Sequence, residues 1–193
     1  RLTNSSMILY GNHDVIQTGQ LRGLQSVTYN GIKFFGLDSA RADGKYDLNT
    51  TQVQAVISEM NRSDFNYDII ILTHVPLFHN AAELGESYDD AEYNKWPDKK
   101  KIEDFLTVLN DYNDGNMNNK FNTSYDFSSK TGHVIGCFCG HIHNHVQCYY
   151  HKLYMESFDT NGAKEYRKPA TPDNSGLYKP ITMDEDNLNH YIT

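Results

Sequence analysis

Three short polar clusters in this chain each carry histidine: Gly11-Asn12-His13-Asp14, where an amide and a carboxylate flank it, Thr73-His74 and Gly140-His141-Ile142-His143. Strand ends followed by loops are where layered α/β proteins place their reacting groups, and imidazole is a common metal ligand. His141 and His143 stand two residues apart, and in extended backbone such a pair projects to one side, each ring able to serve one of two adjacent ions. The glycine ahead of GNHD and of GHIH lets the chain turn sharply and lets backbone approach a ligand closely.

Each cluster must be delivered by a regular element. Residues 6–10 (SMILY) read as a short apolar strand ending at Gly11, and the apolar run from Asp68 to Thr73 reads as a buried strand whose end carries His74. His133 to Cys139 reads as another buried strand, leading into GHIH. Ser26–Tyr29 and Ile32–Leu37 flank Asn30-Gly31, the dipeptide of a type I′ turn, which predicts a hairpin. Helical spacing of Val53, Val56, Ile57 and Met60 predicts a helix over 51–60 capped by Asn49 or Thr50; Ile102, Phe105, Leu106 and Leu109 predict another over 99–112. The Asn-rich stretch 113–124 reads as a loop insertion, 146–150 with 153–158 as a second hairpin, and from Asp159 onward the fold signal fades. Mixed strands and helices imply a layered α/β architecture with reacting groups at strand ends.

Composition bounds the rest. At 193 residues the chain is long enough for one domain with a substantial core. No apolar run approaches the length of a membrane span. A formal charge of -8 disfavours a surface built to neutralise nucleic-acid phosphates. The three cysteines, Cys137, Cys139 and Cys148, lack the spacing of a disulfide framework and read as small strand residues. Four Asn-x-Ser/Thr sequons, at Asn4, Asn49, Asn61 and Asn122, are little more than such a composition produces by chance. They do not argue for secretion, and the compartment is left open with the cytoplasm favoured.

The ordered set GNHD, then a lone histidine after an apolar strand, then GHIH, resembles the last three motifs of the calcineurin-like metallophosphoesterases. The resemblance spans about residues 6–145. It implies a four-layer αββα sandwich and hydrolysis of phosphomonoesters or phosphodiesters at a dinuclear centre of Mn, Fe or Zn. By that likeness Asn12, His74 and His141 are ligands of the second ion and His143 of the first, while His13 faces the substrate. Two ions about 3.5–4 Å apart in such centres activate a bridging water and clamp the phosphate oxygens. His13 would stabilise the phosphoryl group or protonate the leaving oxygen. Asp14 is expected to fix the loop or stand behind the ligands. His79 and His145 could touch substrate, although surface or packing roles account for such histidines as well. Arg41 could reach a phosphate oxygen, and Asp38 reads as a turn or cap residue.

Two earlier motifs of that family, D-x-H and G-D-x-x-D, occur nowhere in the chain. They would supply most of the first ion's ligands. The resemblance therefore implies the C-terminal, larger part of one metallophosphoesterase domain, with its N-terminal segment a missing partner, a core over about 6–158 and an extension over 159–193. The alternative is a catalytically inactive phosphoesterase-like module that uses the scaffold for binding.

Overall fold

The computed structural model describes residues 7–77, 95–141, 146–151, 153–157 and 178–180. Within them β1 (Gln25–Tyr29) and β2 (Ile32–Leu37) form the expected hairpin, with Tyr29 opposite Ile32. Asn30 and Gly31 take φ angles of 49° and 80°, the left-handed pair that a type I′ turn needs. Helix α2 (Thr50–Met60) follows, and its cap is Asn49, whose side-chain oxygen accepts from the amides of Thr51 and Gln52 at 2.9 and 3.3 Å. Strand β3 (Asp68–Thr73) then leads to α3 (Lys99–Asp114), started by the Asp98 carboxylate on the Lys101 amide and ended by left-handed Gly115. β4 (Met117–Lys120) and β5 (Thr123–Asp126) form a small hairpin. β6 (Val134–Cys139), β7 (Val146–Tyr150), β8 (Leu153–Ser157) and β9 (Tyr178–Pro180) complete the strands. A short helix, α1 (Asn12–Thr18), precedes them all.

Among the described residues seven strands make one mixed sheet in the order β1-β2-β3-β6-β8-β7-β9. Its centre, β2, β3, β6 and β8, is parallel, while β1, β7 and β9 pair antiparallel at the two sides. Parallel neighbours bring the carboxyl ends of successive strands to one edge, which is how residues distant in sequence come together. Val53, Val56 and Ile57 of α2 and Phe105, Leu106 and Leu109 of α3 join Phe35, Leu37, Ile69, Ile71, Leu153 and Met155 of the sheet in one core. Removing each such side chain from water contributes about 1.5–3 kcal/mol. Among the described residues no helix is long and apolar enough to cross a membrane.

Three local expectations are corrected. Residues 7–10 form no strand: Met7 and Leu9 lie over Gly36, where an added Cβ would stand 2.6 Å from the Met7 sulfur and 2.8 Å from a Leu9 methyl. The backbone of Ile8 is held by the amide side chain of Gln25, its N–H donating at 3.1 Å and its carbonyl accepting in return, so a side chain takes the place of a ladder. The stretch 113–124 is no structureless insertion either. Its asparagines Asn116 and Asn118 each donate at 3.1 Å to the buried carboxylate of Asp111, which also accepts from the Tyr125 hydroxyl at 2.7 Å. The polar composition that reads as loop is the network that ties the β4–β5 hairpin to α3. Finally, the region beyond Asp159 contributes a strand, since Tyr178–Pro180 pairs with β7.

Candidate functional site

The carboxyl ends of β3 and β6 lie side by side, with Leu72 opposite Phe138. His74 immediately follows β3, and Gly140-His141 immediately follow β6. The Gly140 amide donates to the His74 carbonyl at 3.1 Å, extending the pairing past the ladder. Two buried polar residues directly follow β2, and one of them sets the position of His74. Ser39, fully buried, accepts the amides of His74 and Val75 on its Oγ at 3.1 and 2.8 Å. Asp38 is tied to α2 through Gln52, whose side chain accepts from the Asp38 amide at 3.0 Å and donates to its carboxylate at 2.8 Å. The same carboxylate accepts the amides of Arg22 and Gly23, so Asp38 joins three segments rather than capping a turn.

Asn12 arrives from a different direction, as the first residue of α1. Helix α1 is anchored by buried Val15 and closed by Gly19 in the left-handed region, while the Asp14 carboxylate accepts the Gly11 amide at 2.9 Å. Gly11 lies against the His74 ring: a Cβ there would stand 3.0 Å from Cε1 and 3.2 Å from Nε2. Close approach therefore explains this glycine. It does not explain Gly140, where an added Cβ would meet nothing within 4 Å.

Three donor atoms meet at this edge. Asn12 Oδ1 lies 3.0 Å from His74 Nε2 and 3.2 Å from His141 Nδ1, and the two nitrogens are 3.2 Å apart. Atoms that share one cation at about 2.0–2.2 Å stand about 3.0–3.5 Å from each other. The triangle has those edges, and its two imidazole nitrogens and one amide oxygen are the right chemistry for a borderline divalent ion. Among the described residues no three His, Cys, Asp or Glu side chains gather in this way; the third donor here is an amide. All three residues are half-buried.

His141 is not in extended backbone, as a two-residue spacing to His143 would require for a shared side. Its φ is +70°, a left-handed conformation that costs a non-glycine residue about 1–2 kcal/mol. The bend turns Nδ1 inward and is held by the Gly140 amide on His74 and by the Ser157 hydroxyl donating to the Gly140 carbonyl at 3.2 Å. On its far side His141 Nε2 lies 2.8 Å from the hydroxyl of Tyr46, a fully buried residue of the loop after β2. Sequence reading singled out neither Tyr46 nor Ser39. Ser39 stands next to Asp38 at a strand end, a weak signal, whereas nothing near Tyr46 in sequence points to a histidine 95 residues away.

The remaining candidates divide plainly. His13 is exposed on α1, beside Asn12, and makes no hydrogen bond or ion pair among the described residues. Asp14 holds the start of α1. Arg41 is turned to Asp43, donating to both carboxylate oxygens at 3.1 and 2.9 Å. His79, His143 and His145 lie outside the described residues. Cys137 and Cys139 are buried free thiols, and burial pushes both thiol pKa values up, which keeps them protonated and inert. No family model matches the chain, and no curated protein matches it at a significant level.

Proposed function

We propose that Asn12, His74 and His141 hold a divalent metal ion and that the protein is a metal-dependent phosphoester hydrolase. The observation that carries this reading is the triangle of donor atoms, 3.0–3.2 Å on each edge, drawn from three segments more than sixty residues apart. The motif resemblance selects the reaction class, and the geometry supports the metal site by bringing together the residues that the resemblance names as ligands of one ion. When bound, such an ion supplies Lewis acidity toward a phosphoryl oxygen and lowers the pKa of bound water.

The chain's own residues account for the rest. Ser39 and Gly140 fix the backbone on either side of His74, so its ring meets Asn12 without loop rearrangement. Gly11 leaves room for that ring. His13, exposed one residue beyond a ligand, is offered to an arriving substrate, where an imidazole can donate to a leaving oxygen or stabilise phosphoryl charge. A four-layer αββα sandwich accompanies this reading. It is supported by the far face of the sheet, where Phe34, Ile70, Leu72 and Phe138 keep apolar side chains partly open, a pattern suited to strands covered on both sides.

Turnover of nitrophenyl phosphate and its bis-ester by the full-length protein tests the proposal. Activity should depend on added Mn, disappear with chelator and be lost in His74→Ala. Metal uptake without turnover of either ester selects a binding module instead; no uptake at all refutes the site.

A further inference from the structure

The donor triangle contains an acceptor-only amide oxygen, so the ring protons around it are constrained. A cation in the triangle needs both of its nitrogens, His74 Nε2 and His141 Nδ1, unprotonated beside Asn12 Oδ1. His141 Nδ1 is then bare, and the ring carries its proton on Nε2, which faces the Tyr46 oxygen at 2.8 Å. That oxygen is a fixed point. Tyr46 is fully buried, its ring packs edge-on against Trp96 at 5.8 Å and against the His141 ring at 5.2 Å, and its amide donates to the Lys95 carbonyl at 3.0 Å.

We propose that Tyr46 is a positioning residue of this centre: its hydroxyl accepts the Nε2–H of His141 and thereby keeps Nδ1 bare and aimed at Asn12 and His74. The inference rests on the metal reading above and deepens it. A cation-binding imidazole needs its inner nitrogen unprotonated, and the hydrogen bond made by the outer nitrogen selects that tautomer. With the tautomer already selected, His141 has no proton to shift and no ring to turn when a cation arrives. The left-handed backbone at His141 and the buried tyrosine are then two halves of one device, the first turning the ring inward and the second holding its protonation pattern.

The test compares the wild-type chain with Tyr46→Phe, which keeps the ring against Trp96 and removes only the hydroxyl. Long-range proton–nitrogen correlation spectra of the metal-free protein read each histidine's tautomer, with His141 assigned through His141→Gln. Wild-type His141 should carry its proton on Nε2, and Tyr46→Phe should show mixed tautomers. Calorimetric titration with Mn and with Zn should show affinity weakened by about 10–100-fold in Tyr46→Phe, the usual effect of losing an outer partner of a ligand. A wild-type His141 protonated on Nδ1 overturns the proposal, and that measurement stands even if Tyr46→Phe fails to fold. Metal affinity indifferent to Tyr46→Phe overturns Tyr46's role while leaving the centre intact. No uptake by the wild type removes the centre and Tyr46's role with it.

Discussion

Ser39→Ala isolates the contact that places His74. Ser39 is completely buried, and its Oγ accepts two backbone amides, from His74 at 3.1 Å and from Val75 at 2.8 Å. Val75 is itself completely buried, so no solvent replaces the lost acceptor. A stranded buried amide costs about 1–3 kcal/mol, and the half-buried His74 amide adds about 0.5–1.5 kcal/mol for its lost bond. The hydroxyl leaves little volume behind, so the cavity contribution is small beside these. The expected loss of stability is about 2–4 kcal/mol, large for one oxygen atom. Urea unfolding followed by circular dichroism reads it directly as a fall in midpoint at unchanged slope. Metal titration should show weaker binding in parallel, because the residue that begins the His74 loop has lost its anchor. A loss below about 0.5 kcal/mol, the range of ordinary surface changes, would refute the claim that this hydroxyl holds the end of β3.

Other outcomes follow from the same geometry. Gly11→Ala should fold normally, since its backbone is extended, yet weaken metal binding by displacing the His74 ring; affinity equal to wild type would remove Gly11 from the site. His13→Ala should retain metal while cutting turnover by about two to four orders of magnitude, measured with esters of good and poor leaving groups. A defect that narrows for good leaving groups identifies a proton donor, one equal for all identifies charge stabilisation, and loss of metal rejects the substrate-side assignment. Burial pushes the Tyr112 hydroxyl up to about 12, and its proton is donated to the Tyr67 carbonyl at 3.1 Å. Its folded pKa exceeds its unfolded value near 10, so this contribution is complete below pH 10 and lost as pH rises toward 12. Alkaline unfolding curves of Tyr112→Phe should be correspondingly flatter over that window.

Much of the framework was legible because local physics decides it. Asn30-Gly31 permits the turn that joins β1 to β2, Asn49 caps α2, and apolar spacing marks α2, α3 and the buried strands β3 and β6. These signals act over a few residues, which is the range over which a sequence can be read alone. Local physics did not group Asn12, His74 and His141; that expectation came from the resemblance of the three polar clusters to the motifs of a known family.

Tertiary structure decided what depends on partners far along the chain. Met7–Tyr10 is apolar enough for a strand, but a strand exists only where a neighbour supplies a ladder, and here a glutamine side chain holds Ile8 instead. Asn116 and Asn118 look like loop residues until Asp111 and Tyr125 meet them. The inward turn of His141 follows from a left-handed φ that no pattern of residue types announces. Tyr46 and Ser39 gain their roles only because parallel strands bring β2, β3 and β6 to one edge, where a hydroxyl from one loop meets an imidazole from another. Spacing within a segment is written in the sequence, but the distance between segments is set by the pairing of strands and the packing of helices upon them.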